Sequence, residues 1–262
     1  MIEFLKESTF AVNDVIRIAW KVLKIQYFKI LGLCLIMFLV FNLSGILSIF
    51  ISGINIGLSV LMMVIFILAY FGFQLTLFKF ILKVLDEPDH EVYVKDSFPT
   101  TKQIFKFLIA TFYFVLCILI VYGIIIVLVM PFVFARIPMD IVTQVATSLG
   151  VLGIIFTWIR ISFFPFFIID SACSPFKSIR FSMAITRGNF TKLLMLLMLL
   201  AIFQGLYIVI YSEKDMLSAV FINLVNALLI IPLSSVAIAV AYRKMMNEYQ
   251  GEEDPGIMGN II

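Results

Sequence analysis

Two groups of cations in this sequence recur at the spacing of a helix face: Arg17, Lys21 and Lys24, and later Lys177, Arg180 and Arg187, with Lys192 following. Bulky apolar residues interleave with them. That mixture suits anionic lipid headgroups better than nucleic acid, because the apolar stripe lets the same helix settle into the membrane interface. Arg160 is of another kind, since it stands inside an apolar run. A charge at membrane depth is by default a candidate functional group. A span that begins near Ile141, however, brings Arg160 close to the inner headgroups, where a long side chain can reach phosphate. Anchoring is the preferred reading, and all of these cations are candidate headgroup contacts. Gln74, Gln204, Asn223 and Asn226 fall within spans and are candidate interhelical polar contacts, which need no substrate to explain them.

Other chemistry finds little support. His90, the only histidine, stands among Asp86, Glu87, Asp89 and Glu91 in a polar stretch, and hydrated loop charge is preferred there over a metal site. Cys34 and Cys117 lie in spans and Cys173 in a loop, so no disulfide, CxxC or Cys/His cluster is expected. No phosphate-binding glycine loop, nucleophile elbow or HExxH occurs. The expectation is a protein that is not an enzyme, with no cofactor and no nucleic-acid partner.

The elements that position these residues follow from composition. Of 262 residues, 63% are hydrophobic and 13% charged, against roughly 25% charged in soluble domains, so the chain cannot cover itself with polar surface. Apolar runs predict six spans, at about 28–50, 56–78, 107–134, 141–169, 190–211 and 217–242. The fourth is too long to cross upright; it must tilt, kink at Pro165 or leave its polar start in the interface. Gly53 and Gly57 mark the first hairpin, and backbone freedom is preferred there over a helix-association role. The fold class is an all-α integral membrane protein, one polytopic domain over 1–245 with a disordered cytoplasmic tail at 246–262. Glu3 and Glu7 interrupt the start, so no secretory signal is expected.

Residues 12–24 and 175–187 are too short to span and read as basic amphipathic helices preceding hairpins. The stripes are Val12, Ile16, Ala19 and Leu23 in the first, and Phe176, Ile179 and Met183 in the second; Ser174 and Pro175 open the second and Gly188-Asn189 close it. Setting Ile16 opposite Ile179 pairs Arg17 with Arg180, Lys24 with Arg187, Gln26 with Asn189, Tyr27 with Phe190 and Lys29 with Lys192. This is a degenerate internal repeat. A middle copy survives only at Gln103-Ile104-Phe105-Lys106, because Pro99 breaks the segment before it.

Of the 19 Lys and Arg, all but Arg136, Lys214 and the intramembrane Arg160 fall on one side of this topology, which places both termini in the cytoplasm. The segment FPFFIIDSACSPFKSIRFSMAITRGNFTKLL, with Pro165, Asp170, Ser178, Arg180, Ser182, Thr186 and Asn189, resembles the signature of a family of uncharacterised six-span bacterial inner-membrane proteins. That family is related to the membrane domain attached to some glycerophosphoryl diester phosphodiesterases. The resemblance covers the second half of the chain and implies a bacterial cytoplasmic-membrane protein built from amphipathic-helix-plus-hairpin units, here without an attached phosphodiesterase domain; it carries over no catalytic residues. Function is expected to be the organisation of anionic lipid or partner proteins through the basic helices, the alternative being a small transporter or channel.

Overall fold

A run of about twenty apolar residues is long enough to cross a bilayer, and in lipid its backbone can satisfy its polar groups only on itself, as a helix. A computed structural model of the chain describes residues 11–53, 55–88, 90–135, 137–212 and 224–247, with 203–212 described as backbone alone. The helices are α1 (Val12–Ser52), α2 (Ile56–Asp86), α3 (Thr101–Phe134), α4 (Met139–Ile161), α5 (Phe164–Asp170), α6 (Pro175–Thr186), α7 (Phe190–Ser212) and α8 (Ile231–Asn247); a 3-10 turn covers Val94–Ser97 and a π-helical turn Asn226–Ile230. Among the described residues there is no strand. Five stretches are long and apolar enough to cross a membrane, and α6 with α7, bent by 95°, makes a sixth if counted as one. In the most apolar window of α2 only 6% of residues are buried, an exposure that fits lipid and not water. The chain is an all-α, multi-pass membrane protein.

α1 pairs with α2, α3 with α4, and α8 packs on α1. Gly153 sets the closeness of the second hairpin, because a Cβ there would come within 2.9 Å of Val121 Cγ1. In the first hairpin, Gly53 lies in the ordinary right-handed region (φ −68°), so the turn does not draw on glycine's conformational freedom. Asn55 makes the turn instead, its Oδ1 accepting from the Leu58 amide at 3.1 Å. Several spans run further than hydropathy suggests: α2 continues past Phe78 to Asp86 and α3 starts at Thr101. α3 can start early because Thr100 and Gln103 close a capping box, which satisfies amides at the helix start. Residues 246 and 247 are helical and not part of a tail. The start of the sixth span at 217–223 lies outside the described residues.

The helices break where neighbouring groups take over the freed backbone. α1, at 41 residues, is interrupted by the non-helical Gln26 (φ −110°, ψ 23°), and the matched Asn189 sits in the break between α6 and α7. The fourth apolar run is not one helix. It breaks at Ser162–Phe163, with Pro165 in the first turn of α5, where a missing amide costs nothing. Ser182 on α6 covers this break: its hydroxyl accepts from the Phe163 amide at 3.1 Å and donates to the Arg160 carbonyl at 2.9 Å. That use of Ser182 changes the face α6 buries. The buried stripe is Ser178, Ile179, Ser182, Ile185 and Thr186, while Phe176 and Met183, expected to share Ile179's stripe, are exposed. In α1 the corresponding stripe is Val15, Ala19 and Leu23, with Val12 and Ile16 at its edge.

Ser174 stands at the N-cap of α6 but its side chain caps nothing, whereas Ser182 is fully buried between two backbone groups. Ser182→Ala is therefore expected to cost about 1–3 kcal/mol, the usual penalty of stranding buried polar groups, and Ser174→Ala close to nothing. Thermal unfolding of both variants in detergent checks this; equal midpoints would contradict the role given to Ser182.

Candidate functional site at the basic end

Lysines at one end of the bundle, the end where α2, α5 and α8 finish, are partly committed to backbone. Lys29 Nζ donates to the Val92 carbonyl at 3.1 Å, Lys79 to Phe98 at 3.0 Å and Lys83 to Asp96 at 2.8 Å. These bonds strap the 87–100 connection, with its 3-10 turn, to α1 just past its break at Gln26 and to the end of α2. The second connection is held in the same way. Lys106 donates to the carbonyl of Ala172 and Gln103 Nε2 to that of Ile169 at 3.4 Å, where Ala172 turns the chain with a positive φ of 49°. Lys29 and Lys106 are the lysines that end the matched Gln-x-Phe-Lys strings. Each closes its own hairpin by reaching the connection beyond the next span.

The core of this end is α5. Phe164 through Ile169 are all buried, and Phe166 stacks on Tyr242 at 5.0 Å while Phe167 meets the same ring edge-on at 5.3 Å. This packing sets Asp170, the last residue of α5, beside the end of α8. Arg243 grips it with two bonds, Nη1 to Oδ2 at 2.8 Å and Nη2 to Oδ1 at 3.0 Å, and Nη2 also reaches Asp86 Oδ2 at the end of α2. Tyr242 Oη donates to Asp170 Oδ2 at 3.0 Å. One guanidinium thus joins the ends of α2, α5 and α8 in a bidentate geometry that lysine could not reproduce. In the loop that follows, burial pushes the Cys173 thiol above its ordinary value, with Lys177 and Lys106 opposing. Neither carboxylate is left without a cation, so the cluster's evident chemistry is mechanical.

The candidate headgroup contacts lie around this clamp. Arg17, Lys21 and Lys24 are exposed on the first part of α1; Arg17 pairs with Asp14 at 3.0 Å, a surface bond of small worth, and Lys24 Nζ sits 5.3 Å from the centre of the Trp20 ring. On α6 Lys177 is exposed and Arg180, half-buried, lies over the Phe176 ring. Arg187 is exposed just past α6, and Arg160 and Lys192 are half-buried on α4 and α7. The candidate interhelical contacts fare differently. No hydrogen bond joins Gln74 to Asn226 among the described residues, and Asn226 Oδ1 is buried without a partner; Gln204's side chain and Asn223 lie outside the described residues.

The polar links between spans come from residues other than the four candidate interhelical contacts. Ser59 Oγ donates to the Ser48 carbonyl at 3.1 Å, and Tyr27 Oη donates to the Leu228 carbonyl at 3.1 Å. Leu228 lies in the π-helical turn that leads into Pro232, a residue with no amide to return to that turn. A proline deep in a span, with a tyrosine on a repeated motif, was the available signal.

The fold and this end of it define the class: a multi-pass helical membrane protein whose spans are bound together at one face by Arg243 and a set of lysines. Comparison with protein-family models, curated proteins and solved structures finds no match to this chain.

Asp170 accepts three bonds with a quarter of its side chain exposed, whereas Asp86 accepts one and is nearly half exposed. Arg243→Gln is expected to destabilise by about 2–4 kcal/mol and Asp170→Asn by about 1.5–3, with Asp86→Asn smaller than either. Thermal midpoints in one detergent give the order; equal losses at the two aspartates would contradict the asymmetry.

Proposed function

We propose that this chain is a non-enzymatic protein of a bacterial cytoplasmic membrane that gathers anionic lipid against its basic end. In this reading that end and both termini are cytoplasmic. The observation that carries the reading is the 95° bend between α6 and α7. If α7 crosses the bilayer, α6 lies along its surface, at the level of the headgroups. Phe176 and Met183 are then exposed beside Lys177, which suits a helix with apolar side chains in the acyl boundary and cations among phosphates. Trp20, exposed next to Lys21 and Lys24 on α1, is a residue type that favours the same depth. The charge bias supports the orientation. The resemblance of residues 164–194 to the six-span inner-membrane family supports the location.

The chain has two tryptophans, so Trp158→Phe leaves Trp20 as a single reporter on the first basic helix. In reconstituted bilayers an anionic phospholipid brominated near its headgroup is expected to quench Trp20 more strongly than its zwitterionic counterpart at the same mole fraction. The difference is expected to shrink as salt rises and when Arg17, Lys21 and Lys24 are changed to Gln together. Equal quenching by the two lipids at low salt would contradict the reading.

A further inference from the structure

An apolar cleft of about 790 Å³ runs between α4, α7 and α8, with Phe156, Trp158, Phe190, Leu197 and Ile238 in its wall. That size is within the roughly 300–1,000 Å³ of pockets that hold small molecules. Its end nearest the basic face is marked by the rings of Phe156 and Phe190, whose centres are 5.1 Å apart. One turn beyond Phe156 on α4 comes Arg160, and three residues before Phe190, in the break between α6 and α7, comes Arg187. The backbone brings the two arginines together, because Ser182 Oγ donates to the Arg160 carbonyl at 2.9 Å and Thr186 Oγ1 lies 3.3 Å from the same oxygen. Neither has a carboxylate partner among the described residues.

Two cations on the segments that flank one end of an apolar cleft, though not in its wall, are complementary to a ligand with one anionic head and long apolar tails. We propose that this cleft is a site for a single anionic phospholipid, its phosphate between Arg160 and Arg187 and its acyl chains along α4, α7 and α8. Phosphate matches the guanidinium fork, and a zwitterionic lipid would bring its own ammonium against two like charges. The inference deepens the proposed gathering of anionic lipid and rests on it, but concerns a different surface from the basic helix around Trp20. Arg160 then holds a ligand in addition to orienting α4.

Trp158 stands in the cleft wall, so Trp20→Phe makes it the single reporter. Brominated phosphatidylglycerol, titrated into phosphatidylcholine bilayers, is expected to quench Trp158 saturably at low mole fraction, with roughly tenfold preference over brominated phosphatidylcholine, given two cations near the surface. Arg160→Gln with Arg187→Gln is expected to abolish the preference. Ala201→Phe, which leaves both arginines and narrows the cleft, is expected to weaken saturable quenching and guards against a double variant that fails to fold. Linear quenching without lipid preference, or preference that survives the double substitution, would overturn the site. If preference is absent at Trp158 but present at Trp20, the cleft proposal alone falls; absence at both removes the reading beneath it.

Discussion

A carbonyl or amide freed inside a bilayer has no water to turn to, and leaving one unpaired costs several kcal/mol. The arrangement of this bundle follows from meeting that demand with side chains from distant segments. Pro232 has no amide to give the π-helical turn before it, and Tyr27 supplies a hydroxyl to the Leu228 carbonyl in that turn. The fourth apolar run breaks at Ser162–Phe163, and one hydroxyl, Ser182, serves both an acceptor and a donor released there. The break lets α5 start afresh with its aromatic residues facing inward, so α6 must pack with a hydroxyl-lined face and leave Phe176 and Met183 outside.

At the basic end the cations divide into two sets. Lys29, Lys79, Lys83 and Lys106 are bound to carbonyls of the connections, and Arg243 is bound to Asp86 and Asp170. A count of positive charge on this face therefore overstates what is open to a lipid. Lys21 and Lys24 on α1, Lys177 on α6, and Arg160 and Arg187 are set otherwise. They stand beside exposed aromatic or apolar residues and not beside loop carbonyls. The first set gives rigidity and, in the proposed function, the second contacts lipid, with the clamp holding α5 against α8.

Much of the architecture was legible because it depends on local pattern. Apolar runs gave the spans, and the matched Gln26 and Asn189 fell at real breaks in the helices. Lys29 and Lys106 were recognised as equivalent before their equivalent bonds were visible. What was not legible depends on pairs far apart in the chain: Arg243 lies 157 residues from Asp86 and 73 from Asp170, and Tyr27 lies 201 from Leu228. Pro165 did signal a break, but a proline is tolerated in a first helical turn, so the break falls before it. Gln74 and Asn226 show no hydrogen bond to another span among the described residues, while serine and tyrosine reach backbone oxygen.

The claim that joins these observations is that the cations not bound to the protein's own backbone or carboxylates meet anionic lipid. Native mass spectrometry of the full chain released from nanodiscs of equal phosphatidylglycerol and phosphatidylcholine tests it most directly. The account predicts that the lipid retained on the protein is predominantly phosphatidylglycerol. Retained lipid in the same proportion as the supplied mixture would contradict it.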